Sequence, residues 1–220
     1  MSDIARRMKA LRFLRDIFFI SFIIALCSFI LMAVILFLGE EYPFSSGSGM
    51  AIIVIESILN IGRIVVVILL AITLILTMSI NKECRLAFLV AVGAAILSII
   101  AGILIRTGSS RILCYVFSFI SELAVAFSTF ALIDGVFEKQ TRKTPLFQFV
   151  IASVCLYAIA ALFYFLAYVI KYSAPVFSAL VTAGEVCYIL SSFIIFLSLH
   201  NALKMIDEYE GSEVINNEVE

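Results

Sequence analysis

Six long apolar segments alternate with short polar ones along this chain of 220 residues. The apolar segments cover residues 17–38, 50–80, 86–105, 112–137, 146–170 and 175–205. About 20 helical residues span the hydrocarbon core of a bilayer, which is about 30 Å thick. The segments are too long and too uniformly apolar for the alternating strands of a membrane barrel. The pattern therefore predicts an all-α, polytopic membrane protein with six transmembrane helices in one domain, residues 17–206.

The composition supports a membrane environment. Hydrophobic residues make up 64% of the chain and charged residues 14%, whereas a soluble domain is about half apolar and about a quarter charged. Lipid must therefore cover the excess apolar surface. Outside the membrane domain we expect a basic lead-in, residues 1–16, and an acidic tail, residues 207–220, which has six acids in 14 positions and is predicted to be disordered.

The basic residues predict the orientation of the helices. Eleven Lys and Arg residues lie on the side of the two termini, three lie in the opposite loops, and Arg63 lies within a span. Cytoplasmic loops carry the excess of basic residues in membrane proteins. The chain is thus predicted to be a multi-pass protein of the cell (plasma) membrane with both termini in the cytoplasm.

An acid recurs in every second apolar segment. Glu56, Glu122 and Glu185 are 66 and then 63 residues apart, and Ser128 and Ser191 follow the last two acids at the same offset. We interpret this spacing as three weakly repeated helical hairpins, each with its acid on the second helix.

The acids mark the candidate functional site, because an ionised group at mid-membrane costs about 2.5–3.5 kcal/mol and usually faces a cavity or a partner. Residues three, four or seven apart share a helix face, which adds further polar side chains to the three acids. The candidate substrate- or ion-binding residues are Glu56, Asn60, Arg63, Tyr115, Glu122, Glu185 and Tyr188. Their similar depth predicts one polar site in the outer half of the bundle, and the excess of carboxylates favours a cation or a proton.

A packing role is the alternative interpretation of the same residues. Arg63 would then neutralise one or two acids, and the third acid would be protonated or hydrogen-bonded to Ser and Tyr.

Two other patterns have simple structural interpretations. Tyr164 and Tyr168, which map to the outer half, are interpreted as part of an interfacial aromatic belt. Ala91 and Ala95 form a small-xxx-small pair that predicts a central position for helix 3.

Enzymatic chemistry is not expected. The sequence has no GxSxG, HExxH, P-loop or dinucleotide motif, and we expect no catalytic residues and no cofactor. Its five cysteines are scattered without a CxxC pair, and His200 is the only histidine, so no metal site is predicted. The basic lead-in is too short for specific nucleic-acid binding and is assigned to contact with anionic lipid heads.

Two functions remain open at this point. Repeated hairpins, each with one acid, favour a small transporter or channel-like protein. The small size and the acidic tail favour instead a non-catalytic membrane subunit or permease component that works with a partner protein. The lipid bilayer is the expected surrounding in both cases, and association with further copies of the chain or with a membrane or ATPase subunit is left open.

Overall fold

The computed structural model describes residues 3–41, 46–106, 111–137, 145–169 and 174–217. These ranges contain six α-helices and no strand. The helices are α1 (Asp3–Glu41), α2 (Ser46–Thr77), α3 (Lys82–Arg106), α4 (Arg111–Val136), α5 (Pro145–Val169) and α6 (Ala174–Asn217). The prediction of an all-α chain is confirmed.

Each of the six helices contains a segment long and apolar enough to cross a membrane. The segments are Arg6–Leu31, Ser57–Thr77, Lys82–Leu104, Ile112–Val136, Leu146–Val169 and Val176–Ile206. Large apolar side chains such as Ile58, Val67 and Ile99 are more than half exposed on the surface of the bundle. Lipid, not a protein core, is the solvent that suits such a surface.

Two helices extend beyond their predicted ends. Helix α1 begins at Asp3 and includes the basic segment that we expected to precede it, while the backbone of α6 remains helical to Asn217. A helix that is already nucleated gains one hydrogen bond for each residue it adds. Neither extension contains a proline, so nothing in the sequence forces the helix to stop at the membrane surface.

The helices pack in an order that differs from their order in the chain. The strongest contacts join α3 to α4 and α5 to α6, followed by α1 to α6, α1 to α2 and α4 to α5. The consecutive pairs α1–α2, α3–α4 and α5–α6 are therefore neighbours in space, as expected for hairpins. Helix α1 closes the arrangement by packing against α6, so that α2 contacts α3 and α4 only along short stretches.

The best-packed part of the bundle lies at the end that carries both termini. Leu14, Leu132, Ile133, Val150 and Leu199 have no exposed surface there. They come from α1, α4, α5 and α6 and belong to one apolar cluster. We call this cluster the inner core. It seals the bundle at the terminal end.

Serine hydroxyls join the helices within two of the hairpins. Ser128 of α4 donates a hydrogen bond of 2.8 Å to the carbonyl oxygen of Ala87 in α3. Ser191 of α6 donates one of 2.8 Å to the carbonyl oxygen of Ser153 in α5. These are the two serines at the same offset from Glu122 and Glu185, so corresponding positions make corresponding contacts.

The equivalent position in the first hairpin is Gly62. A Cβ atom placed there would lie 2.9 Å from Cδ1 of Ile24 in α1, which shows that the two helices approach closely at this level. Each hairpin therefore has a small residue where its two helices approach closely. In the second and third hairpins this residue is a hydrogen-bonded serine, and in the first it is a glycine packed against Ile24.

The predicted central position of α3 is wrong. This helix packs mainly against α4, and Ala95 is exposed. Ala87, Ala94 and Ala101 are seven residues apart and buried, and serines of α4 donate hydrogen bonds to the carbonyl oxygens of the first two. Small residues on α3 thus serve one close contact at the side of the bundle, because a seven-residue spacing keeps them on a single face.

Candidate functional site

A cavity of about 600 Å³ lies between the helices, away from the inner core. Helices α1, α2, α4, α5 and α6 all contribute to its wall. Tyr115 near the start of α4 and Tyr168 near the end of α5 place its upper part at the end of the bundle opposite the termini. Glu122 and Tyr157, near the middle of α4 and α5, line its deeper part together with Glu185, in the first third of α6.

Two carboxylates face this cavity from different helices, Glu122 from α4 and Glu185 from α6. Each has a tyrosine of α5, the helix between them, beside it. The hydroxyl of Tyr157 donates a hydrogen bond to Oε2 of Glu122 at 2.6 Å, and Tyr164 lies beside the Glu185 side chain. Because a carboxylate has about four lone-pair sites, one tyrosine bond orients the group and leaves capacity for a ligand.

Aromatic side chains form most of the remaining lining. Tyr115 stacks on Tyr168 with ring centroids 5.5 Å apart, and Phe119 stacks on Phe165 at 4.8 Å. Both pairs join α4 to α5. Tyr157 contacts Tyr188 of α6 at 5.5 Å. Aromatic pairs in these geometries add about 0.5–1.5 kcal/mol each beyond the burial of their area, so the wall of the cavity also stabilises the contact between the helices.

The described part of the cavity wall carries charge of one sign. Among the described residues that line it, Glu122 and Glu185 are the charged ones, and none is basic. The other polar groups are tyrosine hydroxyls and the hydroxyls of Ser21 and Ser118. The aromatic rings present negative faces to a ligand between them. The carboxylates and the rings therefore both favour a cation.

A second, much smaller cavity of about 40 Å³ lies directly below the first. Ser21, Tyr157 and Tyr188 line both cavities. Thr129, Ser191 and Ser192 add hydroxyls to the lower one, and Ile195 connects it to the inner core. The lower cavity has room for a water molecule. The polar region thus narrows at the Tyr157–Tyr188 contact and ends on packed apolar side chains.

The structure brings together four of the residues proposed from the sequence. Tyr115, Glu122, Glu185 and Tyr188 all line the larger cavity. Glu56, Asn60 and Arg63 belong to α2, but their side chains lie outside the part of the structure that is described. Of that helix, Val66 and Val67 contribute to the described lining.

Three tyrosines of α5 are the site residues that sequence reasoning missed. Tyr157, Tyr164 and Tyr168 line the cavity, and Tyr157 donates a hydrogen bond to Glu122. We had assigned Tyr164 and Tyr168 to an interfacial belt. The spacing of the three tyrosines could have indicated a shared site, since residues seven and four positions apart lie on one face of a helix. Residues of an interfacial belt need not share a face.

Comparisons with protein-family models, with curated proteins and with solved structures found no match to this chain. Its six apolar helices are those of an integral membrane protein. Any more specific function must be argued from the cavity itself.

Proposed function

We propose that this protein is a small membrane transporter or channel-like protein that binds a cation in the larger cavity. The observation that carries the proposal is the meeting of Glu122 and Glu185 in one space of about 600 Å³. Carboxylates at this depth in a membrane are costly unless they face water, a partner or a ligand. Here both line the cavity, and Glu122 is oriented by the hydrogen bond from Tyr157.

The packing of the bundle supports alternating access as the mode of transport. The cavity occupies the half of the bundle opposite the termini, and the inner core closes the other half. A pore that conducts continuously would need a polar path through both halves. A closed inner core requires instead that the helices move to release a ligand on the second side, as in transporters with a binding site near the membrane midplane.

We further propose that the closed end faces the cytoplasm of a cell whose plasma membrane holds the protein. The excess of Lys and Arg on the side of the termini supports this orientation. Single cysteines at Ser212 and Ser109, introduced after replacement of the five native cysteines, test it in intact cells. A membrane-impermeant thiol reagent should label the Ser109→Cys variant and leave Ser212→Cys unlabelled until the cells are opened. Labelling in the reverse order would overturn the assignment.

Ion flux into proteoliposomes tests the transport proposal. Under an inside-negative potential, sodium or proton uptake by the wild type should exceed that of protein-free vesicles. Glu122→Gln and Glu185→Gln should each reduce it about tenfold or more, since a carboxylate-to-amide change removes the charge that binds the cation at nearly constant volume. Glu83→Gln, in the first turn of α3 and outside the cavity lining, is the matched control and should transport normally. Wild-type rates in both cavity variants would refute the proposal.

One observation favours the second candidate, a non-catalytic subunit that binds a partner protein. The helical backbone of α6 continues past its membrane segment, which ends at Ile206, and carries Asp207, Glu208, Glu210 and Glu213 on that extension. An acidic helix beyond the membrane suits a basic surface on another protein. If this role is correct, deletion of residues 207–220 should abolish recovery of a stoichiometric partner from gently extracted membranes. Unchanged recovery would contradict it.

A further inference from the structure

The aromatic lining of the larger cavity bears on the kind of cation it binds. A proton or a dehydrated metal ion needs only a few close oxygen ligands, so a space of several hundred cubic ångströms leaves room for a larger cation. The cavity volume of about 600 Å³ falls within the range of sites for small organic molecules, about 300–1,000 Å³. Five tyrosines and two phenylalanines line it together with the two carboxylates.

We infer that the cavity is a binding site for an organic ammonium ion, with Glu122 and Glu185 balancing its charge and the aromatic rings enclosing its alkyl groups. This inference rests on the proposed cation site and specifies its substrate class. Aromatic rings attract ammonium groups through their negative faces and also cover hydrocarbon, as in cages that bind quaternary ammonium ligands. A hydrated inorganic ion gains little from such rings, because its water shell prefers polar groups.

The contacts of the tyrosines divide them into two functional groups. Tyr157 and Tyr164 lie beside the carboxylates, and the Tyr157 hydroxyl is already engaged by Glu122. Tyr115 and Tyr168 form a stacked pair with centroids 5.5 Å apart at the upper part of the cavity. Tyr168 is 51% exposed, although it also makes an edge contact with Phe177 at 5.7 Å. The first group positions the charges, and the second presents ring surface to a ligand that enters.

The residues at the bottom of the cavity suit the polar end of such a ligand. Ser21 of α1 and Tyr188 of α6 line both the larger cavity and the small chamber below it. A hydroxyl or amine on the ligand could replace water in that chamber, while the charged nitrogen remains at the level of the carboxylates. The site therefore suits an amphiphilic cation with one small polar substituent.

Choline and its neutral isostere 3,3-dimethylbutanol provide a direct test, because they have the same shape and differ in charge. Binding is measured by calorimetry on the full-length protein in detergent. Choline should bind the wild type, and the isostere should bind about 30-fold more weakly or not at all, as expected when a buried charge loses its partner. Equal binding of the two compounds would show recognition of shape alone and would overturn the inference.

Substitutions separate the ring surface from the hydroxyl. Tyr168→Phe keeps the aromatic face and should retain choline affinity within about twofold, while Tyr168→Leu should lose about 5- to 30-fold, the range of a desolvated cation–π contact. Tyr115→Phe and Tyr115→Leu form a second matched pair. Unchanged choline affinity in both Leu variants, with native helical content by circular dichroism, would also overturn the inference.

Different results would exclude the organic ligand and the cation site. If sodium or proton flux depends on Glu122 and Glu185 but choline neither binds nor competes with that flux, the organic ligand is wrong and the cation site stands. If choline binds to wild type and to a Glu122→Gln/Glu185→Gln double variant with equal affinity, the carboxylates do not hold the cation, and both the inference and the proposed site fail.

Discussion

The hydroxyl oxygen of Tyr157 lies 2.6 Å from Oε2 of Glu122, on the helix that packs beside it. Their positions in the sequence are 35 residues apart, and neither the acid nor the tyrosine predicts the other. The contact places a polar pair between α4 and α5 at the level where the larger cavity narrows. It therefore links the stability of the bundle to the geometry of the candidate site.

The first prediction concerns the strength of this pair. A side-chain hydrogen bond between the helices of a membrane protein is worth roughly 0.6 kcal/mol on average and up to about 1.7 kcal/mol in double-mutant cycles. Tyr157→Phe, Glu122→Met and the double variant should give a coupling energy in this range when unfolding is followed in mixed micelles, because methionine removes the acceptor at similar size. The same cycle with Tyr115→Phe, whose ring lines the cavity without that bond, should give a smaller value. Equal coupling in the two cycles would contradict the assignment.

Hydrophobic patterning predicted the spans because the requirement that lipid imposes is local. Every helix must satisfy its own backbone within its own segment, so a stretch such as residues 146–170 can be identified without knowing its neighbours. The packing of α1 against α6 is not local. It depends on surfaces at opposite ends of the chain, and no spacing within either segment indicates it.

The candidate site was partly predictable for the same reason. A lone acid such as Glu185 is conspicuous in an apolar segment because of its cost in lipid, whereas a tyrosine such as Tyr157 is ordinary there and reveals nothing about its partner.

The burial of Leu14 was missed for a different reason. Arg12 and Arg15 flank it in the sequence, and their charge suggested an interfacial segment, yet Leu14 is completely buried in the inner core.

The second prediction concerns the serines at corresponding positions of two hairpins. Ser128→Ala and Ser191→Ala should each lower the free energy of unfolding by about 0.5–1.5 kcal/mol, because each leaves a carbonyl of the neighbouring helix with one bond fewer. The two losses should add within about 0.5 kcal/mol, since the serines bond to different helices and share no partner. Ser79→Ala is the control, because Ser79 is exposed. A similar loss in the control would show that the effect does not come from the hydrogen bonds between helices.

The third prediction uses two glycines in different surroundings. A Cβ at Gly135 would lie 2.6 Å from Sγ of Cys84 and 3.0 Å from Oδ1 of Asn81. Asn81 accepts a hydrogen bond from the backbone of Cys84 at the start of α3 and donates one to the Gly135 carbonyl. Gly135→Ala should therefore destabilise the fold by about 1–3 kcal/mol through overpacking.

The matched substitution is Gly93→Ala on α3, where a Cβ would meet nothing within 4 Å. It should leave the unfolding free energy unchanged or raise it by up to about 1 kcal/mol, because alanine restricts the unfolded chain and favours helix. Both variants are compared with wild type by chemical unfolding in micelles. Equal effects of the two substitutions would show that the contact between α3 and the end of α4 is not as close as the structure places it.

The fourth prediction concerns the part of the chain that was expected to be a lead-in. Leu14 belongs to the inner core with Leu132, Ile133 and Leu199. Leu14→Ala should cost about 2–5 kcal/mol, the range for truncating a buried leucine, because the surrounding helices can only partly fill the space. Ile23→Ala, at a position on the same helix that is 41% exposed, should cost much less. The comparison is made by thermal unfolding in detergent. Equal losses would place Leu14 at the lipid surface, and the inner core would then not close the cavity from the terminal side.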